Sequence, residues 1–216
     1  MHRSTRLCLL LLALTLPGLA PAALITLSDN LSQTTDGRMS IASDYFSSRA
    51  QGFSTTGSAF MLTDVALPLS RADDAVGDLL VSIFNNSGSG GTPGAKVADV
   101  ATIAASLLGT TSALYNIPKL SITLTPSTNY FLVLTSGGQA SGEVYWDYTN
   151  STSGTGFPSA RNMNYLGSFW FSNSMTTPQQ MRILADDGVV PEPATLALLA
   201  IGLAGLGARR AARRRR

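Results

Sequence analysis

The sequence predicts an all-β protein, a jelly-roll-like β-sandwich lying between two targeting segments, and three observations predict it. Charge is sparse, with only 13% Asp, Glu, Lys and Arg, so long solvated helical faces are not expected. Apolar residues in the middle of the chain come in runs of about four to eight that alternate or are continuous, which is strand patterning rather than a 3.6-residue period. Gly, Pro, Asn and Asp punctuate those runs as turn residues do.

The chain opens with a basic head, His2, Arg3 and Arg6, followed by an apolar run of about ten residues at 7–16 and then Pro17-Gly18. Such a run falls short of the ~17 to 25 residues a spanning helix needs. It is the layout of a secretory signal peptide over 1–22. Ala20 and Ala22 are the small residues at the cleavage site, so cleavage is expected before Ala23.

Strands are expected at 24–27, 39–46, 51–54, 60–69, 79–84, 97–103, 120–125, 130–134, 144–148, 169–171 and 180–184. Leu79, Val81 and Ile83 fall on one strand face, as do Leu120, Ile122 and Leu124. The run 130–134 is almost continuously apolar and suits a central strand buried on both sides. Pro126-Ser127-Thr128-Asn129 is a turn, Pro presetting φ and Asn tolerating tight geometry, so 120–134 reads as one hairpin. The segment 85–94 is too rich in Gly and Ser for a strand and is expected to be a mobile surface loop. Residues 104–108 suit either a short helix or the continuation of a strand.

At the far end stand Pro191-Glu192-Pro193, an uncharged apolar run at 194–208, and a terminus with six arginines. A helix of about 15 residues is roughly 22 Å long, short of a hydrocarbon core of ~30 Å. It spans with help from Val189 and Val190 on one side and snorkelling arginines on the other. The arginines place the tail in the cytoplasm and everything before Pro191 across the membrane. An anchor alone has no use for the tripeptide outside it.

Between the two segments, 23–190 is the size of one domain with a substantial core. Of the 15 Lys and Arg, two belong to the signal peptide and six to the tail, leaving seven against twelve acids. The domain is therefore acidic, near −5, and a nucleic-acid footprint is absent. The only Cys is Cys8 and the only His is His2. Disulfides, cysteine nucleophiles, histidine triads and His/Cys zinc sites are thus excluded from the domain, and no cofactor is expected.

Three residue groups are candidate sites. Asp73 and Asp74 with Asp78 around a Gly turn offer three carboxylates to calcium, without the spacing of an EF-hand. Glu143 and Asp147 share a strand face but stand about 13 Å apart at ~3.3 Å per residue, too far for the ~5 to 9 Å of a glycosidase pair. The aromatics of the last third, Tyr145, Trp146 and Trp170 foremost, offer a stacking platform for a polysaccharide, core packing being their alternative fate. Alternation puts Trp146 and Tyr148 on one face and Tyr145 on the other. The Asn-x-Ser/Thr triplets at Asn30, Asn85 and Asn150 mark polar loops.

The tail, VPEPATLALLAIGLAGLGARRAARRRR, resembles the PEP-CTERM sorting signal of Gram-negative bacteria in all three of its parts. The resemblance implies that a membrane-embedded peptidase of the exosortase type reads Pro191, Glu192 and Pro193. It cuts there and passes the protein to the cell surface or an exopolysaccharide matrix. In the middle of the chain, Gln51-Gly52-Phe53-Ser54-Thr55, the run 79–84, Pro93-Gly94, the runs 120–125 and 129–134, and Trp146 resemble the choice-of-anchor R domain. That is a β-sandwich module of bacterial surface proteins. The expectation is an exported, non-enzymatic structural or adhesive protein. The alternatives are a module that binds exopolysaccharide and a carboxylate-based glycan hydrolase.

Overall fold

The computed structural model describes residues 24–42, 47–57, 59–137, 142–156, 162–172 and 177–187, all within the compact unit Ala23–Gly188. The expected signal peptide with Ala20 and Ala22, the Pro191-Glu192-Pro193 tripeptide and the tail helix lie outside the described residues. Among the described residues no helix is long and apolar enough to cross a membrane.

The strands are β1 (Leu24–Asp29), β2 (Gly37–Ala42), β3 (Ser48–Ser54), β4 (Phe60–Arg71), β5 (Asp78–Asn85), β6 (Lys96–Ala104) and β7 (Ala113–Ile117). They continue with β8 (Ile122–Leu124), β9 (Asn129–Ser136), β10 (Glu143–Tyr148), β11 (Asn162–Tyr165), β12 (Trp170–Ser172) and β13 (Arg182–Asp186). Residues 104–108 resolve into the end of β6 and a single 3-10 turn, Ala105–Leu107. All pairings are antiparallel, and they make two sheets, one of seven strands around β4 and one of six in the order β12-β11-β3-β9-β5-β6.

The sheets face each other as a β-sandwich. Leu62, Leu67, Leu69, Ile41, Trp146 and Ile183 of the first sheet share one core with Phe53, Leu79, Val81, Ile83, Leu132 and Leu134 of the second. The alternation of Leu79, Val81 and Ile83 expresses this directly, since all three are buried. β9 lies between β3 and β5 and is covered on both faces. Tyr130, Leu132 and Leu134 turn into the main core, while Phe131 and Val133 join Ala50 and Met163 in a second apolar cluster.

β4 is the spine of the first sheet, 12 residues long. It pairs with β13 at 61–66 and with β10 at 69–71. It also pairs with β7 at 65–69 and with β8 at 60–62. A strand has two edges, so the overlaps put β7 and β8 together on one edge and β13 and β10 on the other. β7 and β8 are one strand interrupted at Pro118, which has no N–H to give the ladder, and Lys119, at φ 63°. The ladder resumes where Leu120 N–H donates to the Thr63 carbonyl at 2.8 Å.

The expected hairpin at 120–134 is not formed. β8 belongs to the first sheet and β9 to the second, so 125–128 is a corner between sheets. Thr55 decides this: its hydroxyl donates to the Thr125 carbonyl at 2.7 Å and accepts from Thr128 N–H at 3.0 Å. The Tyr130 hydroxyl accepts from Thr125 N–H at 2.8 Å. With the turn's backbone groups satisfied by Thr55, just past β3, and by Tyr130 of β9, β8 has no need of β9 as a partner.

The 85–94 segment is held by its own hydrogen bonds rather than left as a loose loop. The Asn85 side-chain oxygen accepts from Ser87 N–H, the Ser87 hydroxyl and Ala95 N–H. A Cβ on Gly94 would stand 2.6 Å from Gly88 N, so glycine is needed for the two arms to meet.

Candidate functional site

The registers give the sandwich two distinct ends. Leu24, where β1 begins, pairs with Asp186, where β13 finishes, and Met61 near the start of β4 pairs with Asp186 from the other side. This is the exit end, where the chain enters and leaves the described fold. The corner 125–128 lies at the same end, because Leu124 pairs with Phe60 and Asn129 with Ser54. β9 then runs to the distal end, where Thr135 pairs with Ser48 and Ser136 with Leu79.

The distal end exposes apolar side chains on several loops. Val76 is 56% exposed in the β4–β5 connection, Leu107 is 68% exposed in the 3-10 turn, and Phe169 is 55% exposed between β11 and β12. The β11–β12 hairpin reaches this end because Tyr165 pairs with Ser48 and with Trp170. Its turn closes through Leu166 N–H to the Phe169 carbonyl at 3.1 Å, with Gly167 at φ 66°, a backbone that favours glycine. The Tyr165 and Trp170 rings are 5.1 Å apart between centroids, and those of Phe169 and Phe171 are 6.2 Å apart, within contact range for aromatic pairs.

The three aromatics singled out for a glycan platform are not brought together. Trp146 has no exposure at all; it fills the core and its indole N–H donates to the Gln180 carbonyl at 2.7 Å. It has no ring face left for a sugar. Tyr145 projects from the opposite face of β10, where its ring lies 4.1 Å from the Arg38 guanidinium carbon. Its hydroxyl donates to Glu143 at 2.6 Å, and that bond, ahead of burial, raises its ionisation point. Trp170 belongs to the other sheet and leans on the second apolar cluster.

The carboxylates are likewise dispersed. Glu143 and Asp147 sit on one face of β10 with Tyr145 between them, and Asp147 accepts from the Ser112 hydroxyl at 2.6 Å. Burial raises the Asp147 pKa, against the Ser112 hydrogen bond and the charge of Arg38, which lower it. Among the described residues no group of three or more acidic side chains is placed to hold a metal; Asp73 and Asp74 lie in the β4–β5 connection and Asp78 opens β5.

A guanidinium braces the backbone of that turn. Arg71 donates to the Ala72 and Asp73 carbonyls at 3.0 and 2.7 Å and to the Leu108 carbonyl at 2.9 Å. Arg71→Met should therefore lower the melting temperature by roughly 2 to 8 °C, the equivalent of ~1 kcal/mol. Millimolar calcium should leave the parent's midpoint where a chelator leaves it, since an ion that binds the native state shifts it. Paired thermal melts measure both.

Sequence reasoning missed a buried polar layer between the sheets. Arg49 of β3 is buried, donates to the Ser40 carbonyl at 2.6 Å and to the Asn164 side chain, and has its pKa lowered to about 10 by that burial. Beside it, the Gln51 side-chain oxygen accepts from Gln179 N–H at 2.8 Å. Asn30 donates to the Gln179 carbonyl at 3.1 Å and accepts from Met181 N–H at 2.8 Å. The available signal was a run of amides, at Asn162, Asn164, Gln179 and Gln180, in a region otherwise patterned for strands. These groups hold strands together.

Residues 189–216 match the PEP-CTERM protein-sorting motif. The chain carries a PEP-CTERM sorting signal. That signal marks an exported protein, sorted to the cell surface by an exosortase, itself a membrane protein, and Pro191, Glu192 and Pro193 fall inside the matched segment. No curated protein matches this PEP-CTERM chain. Among solved structures, a chain from the infectious bursal disease virus Gt strain is similar to it at 15% identity with a TM-score of 0.22. The match covers 78% of this chain and 34% of that one, so the PEP-CTERM chain spans about a third of the viral protein's length.

Proposed function

We propose that the sandwich is a non-enzymatic structural or adhesive component of the cell surface or extracellular matrix, held by its exit end and making contacts with its distal end. The polarity of the fold carries this reading. The chain enters at Leu24 and leaves at Asp186 on one end, while Val76, Leu107 and Phe169 are exposed on the other. Exposed apolar side chains on loops at the end opposite the chain's exit are suited to contact with a partner surface. Replacing Val76, Leu107 and Phe169 by Ser should reduce retention on the producing cell's own matrix about tenfold, the equivalent of ~1.4 kcal/mol. The melting temperature should stay within about 2 °C of the parent, because none of the three is buried. Equal retention of both proteins would place the contact elsewhere.

A second reading, a module that binds exopolysaccharide, is favoured by a hollow of about 300 Å³ at the exit end of the second sheet. Gly52, Ser54, Asn86, Gly90, Gly91 and Asn129 line it. Its two amides and its hydroxyl, set among these glycines and beside Phe53, Tyr130 and Phe131, are groups a sugar's hydroxyls can use. Glycan-array binding of the exported protein, lost on Asn86→Ala with Asn129→Ala, would favour this reading over the first.

A further inference from the structure

We propose that the exit end of the sandwich is the docking surface for the membrane peptidase that trims the tail, with Leu24 and Met61 as its apolar contacts; the inference rests on the sorting signal. Chain length brings the two surfaces together. Four residues, 187–190, separate the end of β13 from Pro191, and five steps of at most ~3.6 Å allow a reach of about 18 Å from Asp186. A peptidase that holds its substrate extended on both sides of the tripeptide uses up most of that reach. It must therefore meet the sandwich where β13 stops.

What it meets there is a pair of exposed apolar side chains with a carboxylate between them. Across three neighbouring strands the register runs Leu24, Asp186, Met61, and the two flanking side chains are 62% and 38% exposed. Large apolar residues on both sides of an exit strand gain nothing for the fold by facing water. Contact with a partner covers them. The four-residue tether then does a second job, because contacts made by a neighbouring surface raise the effective concentration of the tripeptide at the peptidase.

The test follows tail removal by pulse-chase and intact mass, using the full chain in its producing host. Leu24→Ser with Met61→Gln should slow trimming about tenfold, and Met61→Gln alone, far from the signal-peptide cut, about threefold. Leu114→Ser, equally exposed on β7, should trim at the parent rate. Inserting about 12 Gly and Ser residues after Asp187 frees the tripeptide from the sandwich, and the double variant should then trim as fast as its own linker-bearing parent. Parent-rate trimming of the double variant without the linker overturns the proposal, and so does slowing of equal size by Leu114→Ser. Glu192→Ala separates the two levels. If it blocks trimming while Leu24 and Met61 are neutral, only the docking surface is wrong, and if it trims normally the sorting reading fails as well.

Discussion

A Leu132→Asp chain is expected not to fold. Leu132 has no exposure and stands in the middle of β9, between Gln51 of β3 and Ile83 of β5. Its side chain enters the main core shared by both sheets. A carboxylate there would have to stay ionised without a partner or bind a proton, and either costs several kcal/mol, against a total stability of ~5 to 15 kcal/mol. Leu132→Met, which keeps the volume, should cost less than ~1.5 kcal/mol and report that the position tolerates apolar exchange. Circular-dichroism melts of the exported protein distinguish the pair. A Leu132→Asp protein that melts like the parent would remove β9 from the centre of the fold.

Glu192→Ala is expected to leave export and membrane insertion intact and to block removal of the tail. The carboxylate gains nothing from lipid beside the uncharged run 194–208, and a proline stands on each side of it. An anchor would work as well with Pro-Ala-Pro. A peptidase that reads the tripeptide would not accept it, because a site built to pair a carboxylate is left with unpaired polar groups when the carboxylate is removed. The variant should collect in the inner membrane, heavier than the mature protein by the mass of about 24 residues, a cut after Glu192 releasing 193–216. Changing Arg213, Arg214, Arg215 and Arg216 to Ser should instead weaken retention and orientation before it affects the cut. Fractionation and intact mass read both, and normal trimming of Glu192→Ala would reduce the tail to an ordinary anchor.

Much of the sandwich was legible because burial of apolar side chains leaves a period in the sequence. The inward row Leu79, Val81, Ile83 and the doubly covered β9 were both readable that way. Where polar residues are buried, the same reasoning fails. β11 is Asn-Met-Asn-Tyr, and its amides are interior only because Arg49 and Gln51 lie opposite them on β3. β7 was overlooked for a different reason: Pro118 cuts short the continuous strand that β7 and β8 make along β4. Among the candidate sites, alternation separated Tyr145 from Trp146, but which face of β10 was core depended on the sheet across from it.

By itself the sequence determined the all-β character, the strand faces and the sorting address, because turns, hydropathy and a membrane respond to residues close together along the chain. Tertiary structure alone decided that 125–128 is a corner between sheets. The groups that hold it come from Thr55, some 70 residues earlier, and no local pattern records a partner at that distance. It also decided that Arg71 braces the turn after β4 by donating to its backbone carbonyls, and that Leu24 and Met61 flank the strand leading to the tail. Each depends on which segments become neighbours, which is settled when the two sheets close on one core and every buried donor must find an acceptor.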